Sequence, residues 1–227
     1  MRKITYDVVI PLGDRCSCTQ NLKHYGLRPV GYKLPFDWVK RGTFDSRIGI
    51  ILNDFNDFLV PERLRQVHYI KIEQWNLHRF YDTKTKLVFA HDFPKNMKFE
   101  DSFRVAFETY MPKIKRFKEI FFNRKKVLLV YMTDVHVPDK LAKIAMQKLR
   151  QKFGYDDIDL LIVENGVRTM WRYKKQSVAH GITRIKTKVF LMPIHYADVT
   201  PAQFKILDKI FHQIRCNPID FDENNPE

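Results

Sequence analysis

Cysteine is scarce: Cys16, Cys18 and Cys216 are the three thiols in 227 residues. An odd count without spaced pairs gives no disulfide framework and fits a reducing compartment. One Cys-x-Cys without a matching second pair falls short of the four ligands of a structural zinc, so no metal site is expected. No stretch approaches the roughly 20 apolar residues of a membrane span. The apolar run within Met1 to Ile10 is too short, and too soon followed by a charged turn, for a secretory signal, so a cytoplasmic protein is expected. Internal repeats, low-complexity tracts and linker-like shifts of composition are missing as well. Acidic residues are in deficit, with Asp+Glu 26 against Lys+Arg 40 and a formal net charge of +14. Such a surplus favours anionic partners: nucleic acid, anionic membrane, nucleotide phosphates or acidic glycans.

The chain does have ample apolar residues for a core, at 44% hydrophobic and 14% aromatic. Short buried strands and amphipathic helices alternate along it. Val8 to Leu12 reads as a strand, and the helix after it closes near Gly26. Phe44, Ile48, Ile51, Leu52, Phe55 and Phe58 predict a helix over Thr43 to Leu59. Between 67 and 93 the pattern turns β-rich, with runs at His68 to Ile72 and Lys86 to Ala90 around a turn at Asp82 to Thr85. Ser102 to Phe122 is a long amphipathic helix containing Pro112, Val127 to Met132 a fully apolar strand, and Pro138 opens a helix through Leu149. Asp159 to Glu164 and Lys188 to Ile194 complete the strands, and Thr200 with Gln203 has the capping-box order ahead of a last helix. The expectation is a single three-layer α/β domain over 1–219, with a mostly parallel, Rossmann-like central sheet. Its strands lie near Val8, Lys86, Val127, Leu160 and Val189, a β-rich insertion lies near 67–93, and a flexible acidic tail follows at 220–227.

Residues able to do chemistry gather at the predicted strand ends. Gly13-Asp14-Arg15-Cys16 joins the first strand to the first helix. It lacks the further glycines of a Walker loop or a dinucleotide fingerprint, but it places backbone N–H groups and a thiol at a helix start, which suits a phosphate, an oxyanion or a thiolate. The plain alternative is a structural turn with a buried cysteine. In Pro35-Phe36-Asp37-Trp38 a carboxylate stands between two aromatics, either as a base or sugar-hydroxyl ligand or as a cap. His91-Asp92 follows a strand, where a base and a hydroxyl-binding group are commonly kept, although adjacent residues on extended backbone face opposite ways. Asp134 with His136 and Glu164 with Asn165 stand at two further strand ends and would line the same crevice.

Leu12 to Cys16, the helix end at Leu22 to Arg28, Pro35-Phe36-Asp37-Trp38, Asn53-Asp54-Phe55 and His91-Asp92-Phe93 occur in the order of a known family. They resemble the family of unknown function catalogued as putative papain-like cysteine peptidases, with Pro-Phe-Asp-Trp the most specific match. The resemblance implies Cys16 as nucleophile and His91 as base, with Asp92 beside it, and an association with polysaccharide and lipopolysaccharide biosynthesis and glycosyltransferases. From that association the expected function is a glycan-biosynthesis transferase, a nucleotide-sugar-dependent glycosyltransferase. Gly13, Asp14, Arg15, Asp134 and Glu164 would hold the donor, Asp37 or His91 would take the acceptor proton, and Asp92 would bind sugar hydroxyls. The partners are then a nucleotide-sugar donor and a glycan acceptor, with no tightly bound cofactor beyond a divalent cation arriving with the nucleotide. The alternative is a cysteine hydrolase using Cys16 and His91. A basic nucleic-acid-binding module ranks third, because the basic residues alternate with apolar ones as on solvated helix faces.

Overall fold

The structure is a computed structural model that describes residues 3–28, 31–67, 77–123, 125–165, 173–187 and 201–217. A five-stranded sheet runs through it in the order β2 (Val8–Pro11), β7 (Val127–Thr133), β8 (Ile158–Asn165), β10 (Ile182–Thr187), β9 (Lys174–Ala179). The first four strands pair in parallel, and β9 closes one edge antiparallel. A second sheet is antiparallel throughout, in the order β3 (Val39–Arg41), β6 (Leu87–Pro94), β5 (Leu77–Asp82), β4 (Leu64–Gln66). A two-stranded parallel ribbon joins β1 (Ile4–Tyr6) to β11 (Ile214–Cys216).

The central strands are apolar without alternation because both faces are covered. Val9, Leu128, Val130, Leu161 and Val163 pack against Leu22 of helix α1 (Cys16–His24) and Leu207 and Phe211 of α5 (Pro201–Phe211). On the opposite face, Ile10, Leu129, Tyr131, Leu160 and Ile162 share a larger core with α2 (Phe44–Leu52), α3 (Phe99–Phe122), α4 (Asp139–Phe153) and the antiparallel sheet. Aromatics dominate that core: Phe36, Phe55, Phe58 and Phe117 meet edge to face or tilted at centroid separations of 5.1–6.5 Å.

The α/β class holds, but the single, mostly parallel Rossmann-like sheet does not. Among the described residues the strands divide among three sheets, one mixed, one antiparallel and one a short ribbon. The strand expected near Lys86 is β6, which belongs to the antiparallel sheet, so the β-rich stretch near 67–93 is part of a second sheet that also recruits β3. The helix expected over Thr43 to Leu59 is shorter. Thr43 caps it, accepting from the Ser46 N–H, but it ends at Leu52, and Asp54, Phe55 and Leu59 take left-handed backbone that no helix can contain. The hairpin β9–β10 was not expected from its polar sequence. The runs at His68 to Ile72 and Lys188 to Ile194, the cap at Thr200 and the tail 220–227 lie outside the described residues. Among the described residues no helix is long and apolar enough to cross a membrane.

Candidate active site

The turn after β2 is fixed by three main-chain hydrogen bonds, two to β7 and one to β3. Leu12 N–H donates to Val130 O at 2.7 Å and Asp14 N–H to Met132 O at 3.2 Å, while Asp14 O accepts from Arg41 N–H at 2.7 Å. Gly13 is required sterically, since a Cβ there would lie 2.4 Å from Cys18 Cβ and 3.2 Å from Met132 O. The helix can therefore start flush against the strand, with Cys16 as its first residue. The first-turn N–H groups of a helix have no intrahelical acceptors, so the thiol sits in the positive field of a helix start.

His91 reaches this thiol from the other sheet. On β5–β6, Phe80 pairs with Phe89 and His78 with Phe93, so Ala90, His91 and Asp92 stand opposite Arg79 alone. This bulge bends β6 and re-aims its side chains, a device common beside active sites. His91 Nε2 lies 3.7 Å from Cys16 Sγ, and the sulfur is also 3.7 Å from Trp38 O. The Trp38 ring meets the imidazole edge-on at 5.9 Å, and Lys23 Nζ lies over the same indole at 5.2 Å. Cys16 is only 6% exposed, so the sulfur lies at the floor of the site.

Burial decides the charges. It pushes the Cys16 thiol up from its ordinary value, against the opposing pull of Lys40, the backbone N–H of Cys16 and Arg47. Burial, with help from the positive charges of Lys40 and Arg79, holds the His91 imidazole down at about 4. Near neutrality the resting pair is thiol and neutral imidazole, the arrangement of a nucleophile and its general base. Cys18 points the other way, its thiol 3.5 Å from Val130 O and pushed up to about 12 by complete burial. Cys216 sits on the β1–β11 ribbon, 3.5 Å from Asp7 O.

The other residues singled out in the sequence are placed less centrally. Asp92 turns away from the sulfur towards α3, accepting from Tyr110 Oη at 2.9 Å. Burial raises its carboxyl, and the ammonium of Lys113 opposes that shift. Asp37 is committed to Arg28, with both carboxylate oxygens on the guanidinium in a fully buried pair, and it also accepts from Leu34 N–H at 2.7 Å. Its main-chain carbonyl accepts from Thr19 Oγ1 of α1 at 2.8 Å. Pro-Phe-Asp-Trp is thus a clamp: Phe36 enters the aromatic core, Asp37 locks the segment, and Trp38 walls the Cys–His pair. Asp14 accepts from Thr133 Oγ1 at 2.9 Å, and Arg15 pairs with Asp134, which accepts from Asn165 Nδ2 at 2.9 Å. Glu164 is buried further along β8, 3.0 Å from Arg184 Nε and accepting from Val137 N–H at 2.9 Å. Among the described residues no group of three or more His, Cys, Asp or Glu is arranged to hold a metal ion. Clefts of 470, 310 and 340 Å³ open elsewhere, against α4, beneath the β1–β11 ribbon and beside α1's end, and none includes Cys16 or His91.

Reading the sequence alone missed three contributors. Lys40 follows Val39 on β3 and faces the opposite way from that buried residue. Arg47 of α2 is completely buried, and its guanidinium donates to Val39 O at 3.0 Å and Arg41 O at 2.6 Å, bracing β3 beside Cys16. Arg28 is the third. The first two carry no sequence signal. Arg28 stands nine residues before a carboxylate set between aromatics, a cue to a buried partner.

Comparison with known proteins places this arrangement. An uncharacterized protein of Acanthamoeba polyphaga mimivirus is 31% identical over 166 residues, covering 67% of this chain and 69% of the relative. No solved structure matches. A family model described as "Putative papain-like cysteine peptidase (DUF1796)" matches residues 7–152, a span that holds Cys16, Asp37 and His91. That match overturns the expected glycosyltransferase: the family is described by a peptidase chemistry, and neither match carries sugar transfer or glycan biosynthesis. With nearly two thirds of its length inside the model, the chain belongs to the family of putative papain-like cysteine peptidases.

Proposed function

We propose that the protein is a cysteine hydrolase that cleaves an acyl bond through Cys16 and His91. The observation that carries this reading is the 3.7 Å approach of Cys16 Sγ to His91 Nε2 at the first residue of a helix. The family match and the burial of Cys16 support it.

The chemistry follows from the resting charges. As the sulfur attacks the scissile carbonyl carbon, its proton passes to His91 Nε2 and a carbon–sulfur bond forms. The carbonyl oxygen takes the negative charge in the field of the α1 N-terminus, where first-turn N–H groups stabilise it. Collapse of the tetrahedral species breaks the bond to the leaving group, which takes the proton from His91. A water molecule, deprotonated by the same imidazole, then hydrolyses the thioester and restores the thiol. General-base assistance of this kind contributes roughly 10²- to 10⁴-fold. The Trp38 indole keeps the imidazole in place by packing against its edge.

The test is capture of the native protein by a peptidyl electrophile, with the modified residue mapped by mass spectrometry. A stoichiometric adduct on Cys16 that is lost in Cys16→Ala and slowed at least a hundredfold in His91→Gln is expected. Adduct on Cys216 in preference to Cys16, or capture indifferent to His91, would sink the reading.

A further inference from the structure

The charges around the Cys–His pair are unevenly compensated. Among the described residues the carboxylates near it are already engaged: Asp37 by Arg28, Asp92 by Tyr110, Asp14 by Thr133 and Asp134 by Arg15. Of the neighbouring guanidinium groups, Arg15 and Arg28 hold those carboxylates, and Arg47 donates through Nη2 to the carbonyls of β3 while its Nε and Nη1, without hydrogen-bond partners among the described residues, are sealed from the site by complete burial. Lys40 differs. The residue is partly exposed and has no hydrogen bond or ion pair among the described residues, although it lies on β3 two residues from Trp38, whose carbonyl touches the Cys16 sulfur. Lys40 faces away from the buried Val39 on β3, and its charge acts on both Cys16 and His91. The bulge places Arg79 opposite His91, and Lys23 stands above the Trp38 ring.

Resting on the cysteine-hydrolase reading, we propose that Lys40 is a specificity residue selecting acyl substrates that carry a carboxylate close to the scissile carbonyl. A lysine supplies one compact positive charge, which suits a monoanion, whereas phosphate recognition favours the forked donors of arginine; Arg15 and Arg28 are held by carboxylates and Arg47 is completely buried. The net charge of +14 would bring such substrates to the surface, and the uncompensated ammonium would orient them at the sulfur.

Iodoacetate and iodoacetamide test this, being nearly the same size and differing in one negative charge. In both, the Cys16 thiolate forms a carbon–sulfur bond to the methylene carbon as iodide leaves. Rates at Cys16, read by peptide mass mapping, are taken as the iodoacetate-to-iodoacetamide ratio and divided by the same ratio for a small free thiol. The thiolate fraction cancels in that quotient, so any effect of Lys40 on thiol ionisation drops out. The expected quotient is about fivefold or more above one in the native protein, falling towards one in Lys40→Gln and below one in Lys40→Glu, and compressed by high salt. A quotient of one that Lys40→Glu leaves unmoved overturns the carboxylate preference while leaving the nucleophile intact. Failure of both reagents at Cys16, with Cys216 labelled instead, overturns the nucleophile and the preference together.

Discussion

The two reactive groups are held by different kinds of structure. Cys16 stands at the end of β2 in a parallel sheet covered on both faces, on a turn tied to β7 and β3 by main-chain hydrogen bonds. His91 stands on a bulge of an antiparallel sheet, where three residues face one and no regular ladder fixes its direction. The nucleophile is positioned by main-chain geometry, and the base by packing against Trp38 and the clamp beneath it. Damage to the turn after β2 should therefore shift the fold and the thiol together, whereas damage to His91 on the bulge should remove basicity and leave the fold.

The sharpest separation of the two halves comes from removing each reactive group. Cys16→Ala should abolish turnover on any acyl substrate, and His91→Gln should lower the acylation rate by about 10²- to 10⁴-fold. Both should unfold in urea at close to the native midpoint, because neither side chain carries a core ion pair. Turnover surviving Cys16→Ala would break the comparison outright.

Next in size is the clamp. Arg28 and Asp37 form a buried, bidentate pair, with side-chain exposures of 1% and 3%. Arg28→Met leaves Asp37 charged and buried without its partner, and Asp37→Asn does the converse to Arg28. Each is expected to cost about 3–5 kcal/mol in denaturant unfolding. The double variant Arg28→Met with Asp37→Leu should recover part of that loss, because no uncompensated charge remains. Additive losses in the double variant would mean that the two side chains do not act as a pair.

Gly13→Ala probes the nucleophile's own half. A methyl group there would press into Cys18 Cβ, at 2.4 Å, and against Met132 O, at 3.2 Å. The helix start must move away from β7 to accept it. An overpacking cost of about 1–3 kcal/mol is expected, together with slower alkylation of Cys16, because the sulfur moves with the helix while His91 stays. Stability lost without any change at Cys16 would show that the strand yields and the helix does not.

What the sequence disclosed follows the same divide. Val127 to Met132 and Asp159 to Glu164 are readable as buried strands because a parallel sheet covered on both faces needs unbroken apolar runs, and the stripes of α3 and α4 recur at helical spacing. Gly13 and Cys16 were legible as a strand-to-helix turn for the same local reason. The antiparallel sheet was not legible as a separate unit, since whether β3 pairs with β6 depends on long-range contacts. The bulge at 90–92 is invisible in the letters Ala-His-Asp, and alternation separates His91 from Asp92 without telling which of them faces the sulfur and which faces Tyr110. Arg47 looks like a surface residue by type, and its burial follows from the carbonyls of Val39 and Arg41, near in sequence but aimed at it only once β3 and α2 have folded against each other. The hairpin β9–β10 was missed because its outer strand is exposed and polar, as edge strands often are.

The smallest effect concerns pH and isolates the histidine. The His91 imidazole is held at about 4 in the folded protein, against an ordinary value of 6.5. Between those values the unfolded chain binds more protons than the native one, so folding stability contributed by this residue is present above 6.5 and declines as pH falls towards 4. Part of the ring remains exposed and solvent screens the penalty, so about 1 kcal/mol over that window is expected. Asp14 and Asp92, whose carboxyls burial raises, act in the opposite sense. Their stabilisation is present below the ordinary carboxyl value and is lost as pH rises through their raised values. The total pH dependence is therefore a difference, and subtracting the urea-derived stability profile of His91→Gln from that of the native protein removes the carboxyl contributions common to both. The remainder should slope upward with pH between about 4 and 6.5 and be flat above. A remainder that is flat throughout would mean that the imidazole titrates normally. The base would then be protonated in mildly acid solution, and activity would fall away below pH 6.5 rather than persist towards 4.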